Sequence, residues 1–317
     1  MKKSLLVIAL ATVSLLTQAQ QDPQFTMWQF DRLSVNPAIA GIERMHYVSA
    51  FHRDQWDGFD RDPKTYLFNY HGMYGAKQNI GLGATFVTEV LGQQQNNILR
   101  FAGAYHHALG NNNYISGGMS LGFIGSKLGA NWIYIDDNDA AIPRNETAAS
   151  VFDLNLGGVV YQPNKYYIGL SATHLTGGDL DELNMSVARH VYLMGGYEYA
   201  LGSGDLVLRP NALLKSDLNA TQFDINADVL WNKMLWGGLA FRPGDAIAPY
   251  AGFMYQFAAN QTKTSVFNHG IRLGYSYDVT TSEIRNYSSG SHEIFVTYYF
   301  GITEIPVRAK HHNPRFL

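Results

Sequence analysis

Cysteine is absent from the chain. No disulfide can staple it, and the absence fits a compartment in which a stray thiol would be oxidised. Charge is scarce as well. Asp, Glu, Lys and Arg make up 15% of 317 residues, where an average soluble domain carries about a quarter. The net charge of −3 gives no basic field, which excludes nucleic acid as a partner. Beyond residue 19 no run of about 18 apolar residues occurs, so no helix of this chain is long and apolar enough to span a membrane. The mean hydropathy of −0.15 agrees.

What the chain does have is aromatic residues and glycine: 20 Tyr, 17 Phe and 31 Gly. Met1–Ala19 reads as a secretory signal. Lys2 and Lys3 supply the charged start, Leu5–Leu16 the apolar middle, and Thr17-Gln18-Ala19 a small residue before a cut at Gln20. An exported chain of this composition without spanning helices is either a secreted β protein or an outer-membrane barrel.

Gln21–Gly41 fits neither the helical nor the strand period. Pro23 and Pro37 argue against a central strand, and a short helix is expected around Gln24–Phe30. This stretch reads as an amino-terminal arm packed on or inside the main body. From Glu43 onward the apolar residues recur with period two. Strands are expected near 43–53, 64–74, 79–91, 95–109, 113–127, 150–162 and 165–175. Seven more are expected near 187–201, 205–217, 221–232, 234–242, 247–259, 267–280 and 290–301. These segments have about the length of a tilted membrane strand. The longest irregular piece, Ile135–Ser150, reads as a mobile surface loop.

The alternation is cleanest in Phe223–Trp231, where Phe223, Ile225, Ala227, Val229 and Trp231 oppose Asp224, Asn226 and Asp228. In Ser291–Phe300, Ile294, Val296, Tyr298 and Phe300 oppose Glu293, Phe295, Thr297 and Tyr299. If the chain closes on itself, this last strand pairs with the first. A soluble sandwich would bury the apolar face, whereas a membrane barrel turns it to lipid. Tight links at Pro163-Asn164, Gly202-Ser203-Gly204, Leu218-Asn219-Ala220 and Asn232-Lys233 favour the barrel. So do aromatics near strand ends at Tyr161, Tyr166, Tyr167, Trp231, Trp236, Tyr298, Tyr299 and Phe300, read as interfacial girdles. The expected fold is all-β, an antiparallel transmembrane barrel of about fourteen strands with an amino-terminal arm or plug. The expected divisions are a signal over 1–19, an arm over 20–42, a barrel over 43–302 and a periplasmic tail over 303–317.

Several stretches tempt a chemical reading. His106-His107 sit on a strand and point to opposite faces, so they do not share a metal. His311-His312 lie in the tail with Arg308, Lys310 and Arg315. Asp136-Asp137-Asn138-Asp139 lacks the glycine and distal glutamate of a calcium loop, and a solvated acidic loop fits it better. Ser291-His292-Glu293 is no triad, because consecutive strand residues alternate faces. No catalytic, cofactor or metal residue is assigned.

The charged face is expected to line the lumen with Asp153, Arg209, Lys215, Asp224, Asp228, Arg272, Asp278 and Glu293. It reads as a solvated or salt-bridged interior, as a socket for the arm, or as a polar channel. Phe25, Trp28, Phe30, Asn36 and Pro37 are the expected plug or partner-binding residues of the arm. Val229→Arg, if near the midplane, is expected to cost about 2–4 kcal/mol, and Asp228→Asn much less.

Asp22-Pro23-Gln24-Phe25-Thr26, then Asn36-Pro37-Ala38 and Ala40-Gly41, resemble the amino-terminal signature of the PorP/SprF family. Arg53-Asp54-Gln55-Trp56, with Gly58-Phe59 and Pro63-Lys64-Thr65, resembles its first hairpin. Arg242 with Gly244-Asp245-Ala246-Ile247 resembles a late hairpin. Gly274-Tyr275-Ser276-Tyr277-Asp278 with Gly290-Ser291-His292-Glu293-Ile294 resembles its closing strands. The chain departs from the family pattern at Met27-Trp28 and Asp31-Arg32, and is shorter over Thr88–Asn97. The resemblance implies an outer-membrane protein of the Bacteroidetes type IX secretion and gliding system, without a cofactor. Its implied partners are outer-membrane lipid and periplasmic ring or cell-wall-linked components, or a large secreted adhesin. A passive or lipid-conducting channel and a barrel hydrolase are the rival readings.

Overall fold

The computed structural model describes residues 19–20, 22–58, 60–75, 77–130, 145–202, 204–261 and 265–304. Residues 1–18 of the expected signal, residues 135–144 of the expected loop with its acidic stretch, and the tail with His311-His312 lie outside them; the loop's last residues, 147–150, belong to a strand rather than a loop.

Among the described residues, fourteen antiparallel strands form one closed barrel. In chain order they are β1 His46–Asp54, β2 Lys64–Tyr74, β3 Ile80–Leu91, β4 Gln94–Gly110, β5 Asn113–Leu128 and β6 Thr147–Gln162. They continue as β7 Tyr166–Thr173, β8 His190–Tyr197 (extended by Tyr199–Leu201), β9 Leu206–Ser216 and β10 Thr221–Trp231. The last four are β11 Leu235–Arg242, β12 Ala246–Gln256, β13 Ser265–Thr280 and β14 Ser291–Glu304. Each strand pairs with its neighbours in sequence, and β14 pairs with β1 to close the ring. Closure leaves no exposed edge.

The apolar face is outside. Ile294 is 52% exposed and Phe295 beside it 1%. On β10, Phe223, Ile225, Val229 and Trp231 are exposed while Asp224, Asn226 and Asp228 are buried. Water would not tolerate such a belt of exposed Phe, Leu and Ile on a soluble protein, whereas lipid favours it. The period-two pattern therefore does physical work here: it puts the polar residues in the lumen.

Three details differ from the sequence reading. The first strand starts at His46 rather than Glu43, because the chain turns at Gly41 (φ 79°) and Arg44 (φ 58°) before extending. The arm holds three single 3₁₀ turns, Trp28–Phe30, Arg32–Ser34 and Pro37–Ile39, in place of a helix over Gln24–Phe30. The aromatic girdle is only partly outside: Trp231 and Tyr298 are exposed, but Tyr161, Tyr167, Trp236 and Tyr299 are buried toward the lumen. Adjacent pairs such as Tyr298-Tyr299 must split between the faces.

The two mouths are unequal. One carries tight links, among them 111–112, 163–165 and 232–234. Asn111 and Asn112, and Asn232 and Lys233, all have positive φ, as a two-residue hairpin turn requires. The other mouth carries the longer connections 55–63, 174–189 and 281–290. The 174–189 connection includes two short strands, Gly178–Leu180 and Met185–Val187, and Ala19–Gln20 pairs in parallel with the second.

Candidate functional site

Residues 22–43 run through the lumen from the long-loop mouth to the short-turn mouth. Their partners come from strands all round the wall, which is possible only for a segment enclosed by it. Four features of the lumen surround the arm.

The first is at the long-loop mouth. Asp22 Oδ1 meets His174 Nε2 at 2.8 Å and Asp22 Oδ2 accepts from the Tyr192 hydroxyl at 2.6 Å. His174 Nδ1 meets Asp153 Oδ1 at 3.0 Å, and Arg100 Nε donates to Asp153 Oδ2 at 2.6 Å. Lys215 Nζ donates to the Asp22 carbonyl at 3.1 Å. Burial alone would push the His174 imidazole down. The Asp22 carboxylate, with hydrogen bonds to Asp153 and Asp22, outweighs this and raises it to about 9. Burial raises Asp22, but His174 and Arg100 outweigh it and hold the carboxyl well below the usual range.

Asp22, His174 and His190 present three ligand atoms within 4.8 Å of one another. Arg100 Nη2 stands 3.3 Å from His174 Nε2, and the raised pKa of His174 favours its charged form. The centre is filled by positive charge, so a divalent cation fits it poorly.

This cluster carries a pH dependence. A histidine raised on folding stabilises the fold fully below its unfolded pKa of about 6.5 and loses that contribution as pH rises through about 9. Thermal unfolding in detergent is expected to show a lower Tm near pH 10 than near pH 6, with up to about 3 kcal/mol at stake. His174→Gln should flatten the difference; an unchanged slope in that variant would assign it to other groups.

The second group sits at the seam between β14 and β1. Thr26 and Met27 donate their backbone N–H groups to Glu293 at 2.7 and 2.8 Å. Arg53, directly opposite Glu293 in the closing register, donates to Glu293 at 3.1 Å, to Asp278 at 2.7 Å and to the Thr26 hydroxyl at 3.0 Å. Thr26 in turn donates to Asp278. Arg242 pairs with Asp224 at 3.1 Å and Asp245 at 2.7 Å, and Gln24 donates to Asp224 at 3.1 Å.

The third group is a groove of glycines. Asn36 is fully buried; its amide donates to the carbonyls of Gly158 and Leu170, and its Oδ1 accepts from Ala38 N–H. A Cβ on Gly118 would lie 2.5 Å from Ala38 N, one on Gly157 2.1 Å from Asn36 Oδ1, and one on Gly81 1.8 Å from the Ala40 carbonyl oxygen. Glycine is thus what lets the backbone of residues 36–40 touch the wall. Ser116 and His106 bond the Ala38 and Ala40 carbonyls. The arm's aromatics fill the remaining space: Phe25 packs on Phe51, and Phe30 on Phe295 and Trp236.

The fourth is a cavity of about 330 Å³ at the short-turn mouth, lined by Phe30, Arg32, Glu43, Tyr47, Tyr167, Arg209 and Arg272 among others. Arg32 pairs with Glu43 at 2.5 Å, and Arg209 Nε donates to Asp228 at 2.6 Å.

All eight residues expected in the lumen, Asp153, Arg209, Lys215, Asp224, Asp228, Arg272, Asp278 and Glu293, lie on the inward side of their strands, most of them ion-paired. Phe25, Trp28, Asn36 and Pro37 are buried and Phe30 partly so, which leaves little of them for a partner to touch. His106 faces inward and His107 is exposed. Ser291 accepts from the Trp56 N–H on the inner side, while His292 bonds Tyr275 on the outer side.

Sequence reasoning assigned no role in the lumen to Asp22, Arg53, Arg100, His174 or Arg242, which carry most of the buried ion pairs. Strand parity was the available signal, since Arg53 shares a face with Ser49 and Phe51. Gly118-Met119-Ser120-Leu121-Gly122 also spells a Gly-x-Ser-x-Gly string. It lies in mid-strand rather than at a strand-to-helix elbow, and Ser120 accepts from Asn155.

The sequence matches the family described as type IX secretion system membrane protein PorP/SprF over residues 17–298. No curated protein matches it. Solved structures with a similar fold include the outer membrane protein Omp33 of Acinetobacter baumannii, at 8% identity and a TM-score of 0.44, covering 82% of this chain and 99% of that one. A FadL homologue of Pseudomonas aeruginosa matches at 10% identity and 0.46, covering 85% and 92%. The Ralstonia pickettii toluene transporter TbuX matches at 10% and 0.42, covering 83% and 91%.

Proposed function

The chain belongs to the PorP/SprF family of type IX secretion system membrane proteins, and on that premise we propose that this outer-membrane barrel is a plugged, non-catalytic docking platform. It anchors components of the secretion machine or a secreted surface adhesin, and it does not conduct solutes. The observation that carries this reading is the arm. Residues 22–43 fill the lumen and are bonded to it by backbone groups as well as side chains. A pore needs an open polar lumen, and here the polar wall is spent on holding the arm.

The arm residues Phe25, Trp28, Phe30, Asn36 and Pro37 then act as the plug. Partner contact falls to the mouths, where a few aromatic or Arg anchors supply most of the affinity.

Tagged protein drawn gently from native membranes is expected to bring with it periplasmic ring or cell-wall-linked proteins, or one very large secreted protein. In planar bilayers the purified barrel is expected to be silent. Stable conductance with neither class of partner enriched would replace this reading with the channel.

A further inference from the structure

The cavity at the short-turn mouth is unbalanced in charge. Four cations line it, Arg32, Lys165, Arg209 and Arg272, against three carboxylates, Glu43, Glu198 and Asp228. Arg32 is matched by Glu43 and Arg209 by Asp228. Lys165 stands exposed on the rim. Arg272 is different. It is half-buried on β13, its guanidinium lies 5.1 Å from the centre of the Phe30 ring, and it donates to Met254 Sδ at 3.7 Å. Among the described residues no carboxylate comes within 4.0 Å of it. Arg209 approaches the same ring, at 5.8 Å. Two guanidinium groups therefore converge on one aromatic face, and the Glu43 and Asp228 carboxylates act on Arg272 only from beyond ion-pair distance.

A guanidinium is a planar fork of donors that matches a carboxylate. The walls around this one are aromatic, from Phe30, Tyr47 and Tyr167. Arg and aromatic side chains are the groups that anchor protein partners. The cavity opens among the turn residues Gln162–Lys165 and beside Glu198, at the mouth where an outer-membrane barrel carries its short periplasmic turns. It lies inside the barrel wall, away from lipid headgroups.

We propose that this cavity is a receptor for a carboxylate presented by an extended acidic peptide segment of a periplasmic partner, with Arg272 as the fork that receives it and Phe30, Tyr47 and Tyr167 packing on the peptide. The proposal rests on the docking-platform reading and names which mouth and which residues do the docking. Arg32 and Arg209, already paired, leave the receiving role to Arg272.

The test uses the full chain in detergent micelles and a fluorescent, end-blocked hexaglutamate peptide, with hexaglutamine as the neutral counterpart. Saturable binding of hexaglutamate is expected, with none for hexaglutamine. Arg272→Gln should weaken it at least about tenfold, and Arg272→Lys should retain part of it. Heat-modifiable migration on gels verifies that each variant is folded, and Arg272→Lys decides the matter if Arg272→Gln does not fold. Equal binding to the wild type and Arg272→Gln would overturn the proposal. So would complete displacement by inorganic phosphate at concentrations equal to the peptide, which would mark a general anion site. Either failure leaves the platform reading standing, because co-purification from native membranes tests that separately.

Discussion

Arg53→Met is expected to destabilise the barrel by about 3–5 kcal/mol, the usual consequence of removing one partner from a buried ionic group. Arg53 is 2% exposed and stands between Asp278 and Glu293, which are no more exposed than it is. Without it, two buried carboxylates face each other with only Thr26, Met27 N–H and the more distant Arg242 to satisfy them. The site is also where the ring closes, since Arg53 and Glu293 are opposite residues of β1 and β14. Loss of the arginine should therefore loosen the seam and the arm together. Urea unfolding in detergent measures the cost, and Arg61→Met at an exposed position should change stability by no more than about 0.5 kcal/mol. If the two variants unfold alike, the seam network contributes nothing to the fold.

A charge on the lipid face should be penalised according to its depth. Ile225 is at the middle of β10 and 47% exposed. Ile225→Arg is expected to cost about 2–4 kcal/mol. Val229 is only two residues from Trp231 at the end of the strand. At about 3.3 Å per residue and a tilt of about 45°, it lies about 9 Å from Ile225 along the membrane normal. Val229→Arg should then fall toward the interfacial value of about 0–1 kcal/mol, less than a midplane position would give.

Asp228→Asn changes its meaning in the same way. The carboxylate is buried and accepts from Arg209 at 2.6 Å and from Tyr250. Its loss is expected to cost on the order of 1–3 kcal/mol, where sequence parity alone suggested a small effect. Arg209→Gln in the same chain should recover part of that cost, and should recover nothing for Ile225→Arg. A neutral Ile225→Arg would put the wrong face toward lipid.

How much could be read in advance differs between the wall and its contents. The strands, their two faces and the pairing of Ser291–Phe300 with the first strand were legible because strand period is a local property. Side chains alternate whatever they meet. The girdle was half misread for the same reason turned round: a cluster such as Tyr166-Tyr167 looks like one feature in sequence and is two on a strand. The arm announced itself by Pro23 and Pro37, which break the period. Its bonds did not. Thr26 meets Glu293 at a separation of 267 residues, and Arg53 meets the same carboxylate at 240. No spacing rule reaches that far.

The sequence by itself therefore determined that this is an exported, Cys-free, closed barrel with charge on one face, because composition and period two do not depend on distant partners. Only the tertiary structure decided that the charged face is spent on an inserted arm, that the wall glycines are there for Asn36–Ala40 to approach, and that, among the described residues, Arg272 has no carboxylate within 4.0 Å while Arg32 and Arg209 each have one. These facts follow from how a ring of strands brings residues hundreds of positions apart into one lumen, where burial makes each polar group dependent on the partner opposite it.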